Sequence, residues 1–189
     1  MSYWELIAAI LSLAYIFLAL KQNPWCWVTA FFSTLIYAVL FFDATLLMSS
    51  FLNAYYLIMA IYGFYSWKYT NQLLKQELKI STINIQTTIK IVLVFSILSF
   101  IVGYIMENNT NASFAYLDSA VTVFSLVTTF LMAKKVLQAW LYWVVIDAFA
   151  VYLYFQKEFY ITSLIFLIYT IMALFAYFSW KKEYLNELK

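Results

Sequence analysis

Residues 56–68 read YLIMAIYGFYSWK and residues 169–181 read YTIMALFAYFSWK, nearly the same string displaced by 113 positions. Carried outward, that displacement maps Glu5–Lys68 onto Asp118–Lys181 without a gap. It pairs Ser12-Leu13 with Ser125-Leu126, Phe17-Leu18 with Phe130-Leu131, Lys21 with Lys134, Trp27 with Trp140, Phe42 with Phe155 and Ser50 with Ser163. In so apolar a chain a matched Leu says little, whereas a matched Trp, Lys or Tyr says much. Duplications of this kind build transporters, which bind their ligand near the bilayer midplane where the halves meet.

Composition places the duplication in lipid. Apolar residues make up 66% of the chain and charged ones 11%, with two Gly and one Pro, against about 25% charged in a soluble domain. The apolar runs are continuous rather than alternating, which indicates helices and not a barrel. Seven spans are predicted, at 4–20, 25–42, 46–67, 87–105, 113–133, 136–155 and 159–180, each near the ~20 residues that cross ~30 Å of hydrocarbon. The fold class is therefore an all-α integral membrane bundle. Residues 1–68 form a first three-helix repeat, 69–112 a cytoplasmic linker and connecting helix, and 113–189 a second repeat with a cytoplasmic tail.

The basic residues give the orientation. All 11 are lysines, and an external N-terminus puts Lys21, Lys68, Lys75, Lys79, Lys90, Lys134, Lys135, Lys181, Lys182 and Lys189 at cytoplasmic ends. Only Lys157, beside Glu158, is left outside, which nearly saturates the positive-inside rule. Glu5 and the lack of Lys or Arg before residue 20 argue against a cleaved leader. Because each repeat has three spans, the unmatched span 87–105 keeps the second copy upright. The arrangement is three, one, three, a parallel duplication whose twofold axis follows the membrane normal. The polar stretch 68–86, where Lys75, Glu77 and Lys79 flank Leu73, Leu74 and Leu78, reads as a linker lying on the headgroups.

Several chemistries are excluded. Histidine is absent and Cys26 is alone, which removes Ser-His-Asp, Cys-His and zinc-hydrolase machinery, disulfides and thiolate metal clusters. No catalytic residue, metal or cofactor is expected. The net charge of +2 is explained by topology and calls for no nucleic acid. Asn108-Asn109-Thr110 and Asn111-Ala112-Ser113 match glycosylation sequons but lie in a loop close to the membrane.

The informative residues are the polar ones inside the bilayer. Asp147 stands about eleven residues into its span, at mid-membrane for a rise of ~1.5 Å per residue, where a carboxylate costs at least ~2.5–3.5 kcal/mol and faces a partner or a watery cavity. Trp140, Trp143 and Asp147 are spaced i, i+3, i+7, with Tyr154 further along the stripe, so an organic cation would stack on the indoles beside the carboxylate. Trp140, near Lys134-Lys135, also fits an interfacial belt. In the third span Ser49, Asn53, Tyr56, Ala60, Gly63 and Trp67 share one small or polar face; Asn53 and Tyr56 are ligand candidates, Ala60 and Gly63 packing residues. Asp118, Thr122, Ser125 and Thr129 form a stripe on the fifth span, with Asp118 and its counterpart Glu5 at the outer mouth. Thr34, the counterpart of Asp147, and Tyr37 extend the polar set, so the candidate ligand residues are Trp143, Asp147, Asn53, Tyr56, Trp140, Thr34, Tyr37 and Thr122.

Over nearly its whole length the chain resembles the nicotinamide riboside transporter family, PnuC. The likeness rests on Asn23-Pro24-Trp25-Cys26-Trp27, Asn53-Ala54-Tyr55-Tyr56, Ile61 through Trp67, Leu117-Asp118-Ser119-Ala120, and Trp140 through Asp147 closing with Trp180-Lys181-Lys182. It implies a bacterial inner-membrane protein similar in architecture to the SWEET sugar transporters, with facilitated diffusion of a vitamin that phosphorylation traps in the cell. Trimeric assembly is compatible with it. Two positions depart from the family's usual pattern: Asn53 where many relatives have Gln, and Asp147 where many have Asn. Nicotinamide riboside and thiamine both carry a ring cation suited to Asp147; riboflavin, larger and neutral, gives it no role. An intramembrane aspartyl enzyme would need Asp118 and Asp147 together, although they are predicted at different depths. An assembly subunit leaves the midplane carboxylate unexplained.

Overall fold

A computed structural model describes residues 3–43, 47–69, 78–110, 114–158 and 160–188. Leu73, Leu74, Lys75, Glu77, Lys189 and the sequon Asn111-Ala112-Ser113 lie outside the described residues, as does the side chain of Ser49. Among the described residues there are seven helices: α1 (Tyr3–Leu20), α2 (Cys26–Asp43), α3 (Leu47–Tyr69), α4 (Ile85–Asn109), α5 (Ala115–Ala133), α6 (Ala139–Gln156) and α7 (Tyr160–Glu187). They follow the predicted spans, except that α4 is longer at both ends and α7 runs on through the lysines after residue 180. By length and composition α1, α4, α5, α6 and α7 are apolar enough to cross a membrane. Helix α3 is 23 residues long.

The duplication recurs as geometry. In α3, Ser50 Oγ donates to Ala38 O at 2.9 Å, and 113 residues later Ser163 Oγ donates to Val151 O at 3.0 Å. The turn after α1 closes with Gln22 N–H to Ala19 O at 2.9 Å and Asn23 N–H to Leu18 O at 3.0 Å. The turn after α5 repeats it, with Lys135 N–H to Met132 O at 2.9 Å and Val136 N–H to Leu131 O at 3.0 Å. These are Schellman caps, whose C′ residue takes left-handed backbone and is usually Gly. Here it is Gln22 at φ 55° and Lys135 at φ 51°, a conformation that costs an L-residue roughly 1–2 kcal/mol.

Packing follows the same plan. Helices α1, α2 and α3 pack in sequence, as do α5, α6 and α7. The two groups join where α3 meets α5 and where α7 meets α1, contacts that exchange under the displacement. Helix α4 packs only on α5 among the described pairs, at Gly103, where an added Cβ would lie 2.6 Å from Tyr116 Cδ1 and 2.9 Å from its Cα. Asn84 caps α4 by accepting from Thr87 N–H at 2.8 Å.

Polarity is inverted relative to a soluble protein. The exterior carries Ile97, Phe100, Phe149, Phe175 and Phe178, all exposed, while Ser33, Asn53, Ser125, Thr129, Asp147 and Ser163 are buried. That distribution suits a lipid solvent. The apolar core lies at the end of the bundle where Lys21, Lys68, Lys134 and Lys181 cluster. It is built on Trp27, Trp67, Trp140 and Trp180. Trp27 stands edge-on to Trp67 with centroids 5.5 Å apart at 87°, and Trp140 to Trp180 at 5.4 Å and 86°. Gly63 leaves room for the first pair, since a Cβ there would come within 2.3 Å of the Trp27 ring.

The stretch after α3 is not simply a linker resting on headgroups. Residues 78–84 are a strap docked on the α5–α6 turn. Ser81 N–H donates to Lys135 O at 3.0 Å and Leu137 N–H to Ser81 O at 2.8 Å, while Gln138 and Ile83 bond reciprocally at 2.9 and 3.2 Å. Ile80, 5% exposed, caps the tryptophan core.

Candidate functional site

Midway along the bundle a polar layer draws on all six repeat helices. Asp147, 4% exposed on α6, lies close enough to the phenols of Tyr56 on α3 and Tyr169 on α7 to act on both electrostatically. Tyr56 is within hydrogen-bonding reach of Ser125 and Thr129 on α5, and Tyr169 of Ser12 on α1. The two arrangements correspond, because Tyr56 and Ser125 are displaced onto Tyr169 and Ser12. Ser12 continues to Ser33 on α2 at 2.6 Å, and Ser33 donates to Ala8 O at 2.9 Å. Tyr55 adds a bond from its hydroxyl to Leu126 O at 2.9 Å.

The symmetry stops at the residues that carry charge or amide. Asp147 corresponds to Thr34, whose hydroxyl is spent on its own helix, donating to Ala30 O at 2.8 Å. Asn53, 8% exposed, corresponds to Phe166, which stacks on Tyr154 at 5.2 Å and 6°. One half therefore supplies a buried amide and the other a buried carboxylate. Among the described residues no basic side chain pairs with Asp147, whereas Asp118 is held by Lys157 Nζ at 3.1 Å. At that end Asp118 is thus already paired with a lysine.

The structure divides the predicted aromatic wall. Trp143 is half-buried beside the core, one helical turn from Asp147. Trp140 is 1% exposed and edge-on to Trp180, so it belongs to the tryptophan core and not to an interfacial belt. Tyr37 lies near Glu5 and Tyr169, and Thr122 is half-buried on the α5 stripe. Ser12, Ser33 and Tyr169 belong to the layer but were not singled out; the displacement of Tyr56 and Ser125 was the signal that would have found them. Among the described residues no group of three Cys, Asp or Glu is placed to hold a metal. A cavity of about 610 Å³ is an apolar groove on the outside of α5 and α6, lined by Leu117, Val144, Val145, Ala148, Phe149 and Tyr152. It lacks the polar groups of a ligand site.

Residues 2–182 match the family described as nicotinamide mononucleotide transporter. The nicotinamide riboside transporter PnuC of Escherichia coli (strain K12) is 25% identical over an alignment of 198 residues, covering 92% of this chain and 83% of that protein. The protein of the same name from Shigella flexneri is likewise 25% identical over 92% of this chain and 83% of its own. A solved structure, the crystal structure of the vitamin B3 transporter PnuC, superposes with a TM-score of 0.79 over 98% of this chain and 83% of that one, at 17% identity. The two share a fold.

Proposed function

Because the chain belongs to the nicotinamide mononucleotide transporter family, a family of carriers and not of enzymes, we propose that it admits nicotinamide riboside through the bacterial inner membrane by facilitated diffusion. In this reading all seven helices span the bilayer as two parallel three-helix repeats joined by α4, with the N-terminus outside and the C-terminus in the cytoplasm. The named activity of the 25% identical relatives supports the cargo. The observation that carries the reading is Asp147, a carboxylate buried midway along α6 with no basic partner among the described residues. A cationic pyridinium ring supplies the missing charge, Trp143 offers it a π-face, and the phenols and amide of Tyr56, Tyr169 and Asn53 suit the ribose hydroxyls and carboxamide. Binding replaces the hydration of ring and carboxylate by each other, which limits the cost of holding either in a dry layer.

Thiamine has the same claim on Asp147 through its thiazolium cation. Calorimetry on the purified protein and on Asp147→Asn, with nicotinamide riboside, thiamine and riboflavin, tests the assignment. The wild type should bind nicotinamide riboside, and Asp147→Asn should lower that affinity about tenfold or more, as expected for losing a charge-assisted contact. Tight binding of thiamine alone would move the cargo to thiamine, and tight binding of riboflavin alone would overturn the cation reading.

A further inference from the structure

At the lysine-rich end, residues that correspond under the duplication touch each other. Lys135 Nζ donates to Gln22 Oε1 at 3.1 Å, and the rings of Trp67 and Trp180 approach to 5.8 Å. Counterparts of a twofold repeat meet only where the axis passes between them. The axis between the halves is the route open to a ligand bound in the polar layer, and at this end it is filled. We propose that Gln22 and Lys135 form the latch of the inner gate, holding the two three-helix units together on the axis until transport requires them to part.

The backbone argues that these side chains are there for the contact. Both occupy the C′ position of a Schellman cap with positive φ, where Gly is the usual residue and any other is strained. Local structure would be better served by Gly in both turns, yet both turns carry a long polar side chain, and the two side chains meet. Lys135 is 5% exposed, its ammonium lies 5.1 Å over the Trp67 ring, and the strap holds its carbonyl. An ammonium so enclosed is costly unless it is bonded, and Gln22 bonds it.

Other links cross between the units at this end: Tyr62 stacks on Phe130 at 6.2 Å, and the Lys134 ammonium lies 5.2 Å over the Tyr62 ring. Trp180 Nε1 donates to Ala19 O and Leu20 O at 3.2 and 3.1 Å. Its counterpart, Trp67 Nε1, is buried without an acceptor among the described residues. The Trp27–Trp67 and Trp140–Trp180 pairs each lie within one unit and survive separation, so at this end the units part as rigid bodies once Lys135–Gln22, the Trp180 bonds and the Tyr62–Phe130 and Lys134–Tyr62 contacts yield. The strap bonds to the second unit, at Lys135, Leu137 and Gln138, and travels with it.

The proposal rests on the carrier reading, but its test needs no substrate. Cys26, the chain's one cysteine, is 0% exposed at the start of α2 beside Trp27, and its thiol reports opening of this end. In vesicles of known orientation carrying the full chain, an impermeant maleimide should label the wild type slowly. Gln22→Gly and Lys135→Gly should raise the rate about tenfold or more, the effect of losing one charge-assisted hydrogen bond, and only from the lysine-rich side. Their melting temperatures should equal or exceed that of the wild type, since Gly relieves the turn. Gln22→Asn, which tolerates the same backbone but is too short to reach, should label fast, and Lys135→Arg slowly. Gly variants that label no faster, or that melt lower and label from both sides, would overturn the latch. A chain that labels as expected but takes up a different vitamin would leave it standing.

Discussion

Asp147 and Trp143 sit one turn apart on α6, one enclosed and one half-buried beside the tryptophan core, and in the proposed site they divide charge from stacking. Trp143→Ala should weaken binding of the cationic vitamin by about 1–2 kcal/mol, the desolvated cation–π range, with Trp143→Phe keeping part of it. Unchanged calorimetry for the alanine variant would make the indole a packing residue. Asp147, Asn53 and Tyr56 were legible in the sequence because a polar group in an apolar span advertises its own cost. Trp140 was not: a Trp beside lysines has the same signature whether it lies in a belt or in a buried aromatic pair, and only packing against Trp180 separates the two. Lys135 was hidden similarly, since a left-handed cap is flagged in sequence by Gly and here carries none.

At the level of elements, helix order and extent followed from apolar runs of membrane length, but the docking of α4 and the strap did not. Helix α4 leans on α5 through Gly103, whose missing side chain admits both the ring and the main chain of Tyr116. The ring can rotate away, but the Tyr116 Cα at 2.9 Å cannot, so Gly103→Ala should cost about 1–3 kcal/mol, the usual range for overpacking. A lowered melting temperature with vitamin affinity preserved is the expected result, because α4 contributes nothing described to the polar layer. Lost affinity at unchanged stability would place α4 in the site. The strap was read as a surface linker because Ile80 and Ile83 have no helical or strand periodicity, and its bonds to residues 135–138 lie some fifty positions away.

For the whole molecule, the sidedness of the bundle turns on one charge asymmetry. Lys21, Lys68, Lys134, Lys181 and Lys182 share an end with the tryptophan core, while Lys157 at the other is already neutralised by Asp118. The rule that basic ends stay in the cytoplasm counts lysines rather than net charge, and the first group outnumbers Lys157. The parallel duplication then requires Asn109, at the far end of α4, to lie across the membrane from Lys182, near the end of α7. With Cys26→Ala as background, cysteines placed at 109 and 182 should react with an impermeant maleimide from opposite faces of intact cells and inverted vesicles, position 109 from outside. Both positions are exposed helix sites, so neither substitution disturbs packing. Reaction of both from one face would leave an even number of crossings between them in place of α5, α6 and α7. The second unit would then not cross three times as the first is proposed to, and the parallel three, one, three arrangement would fall.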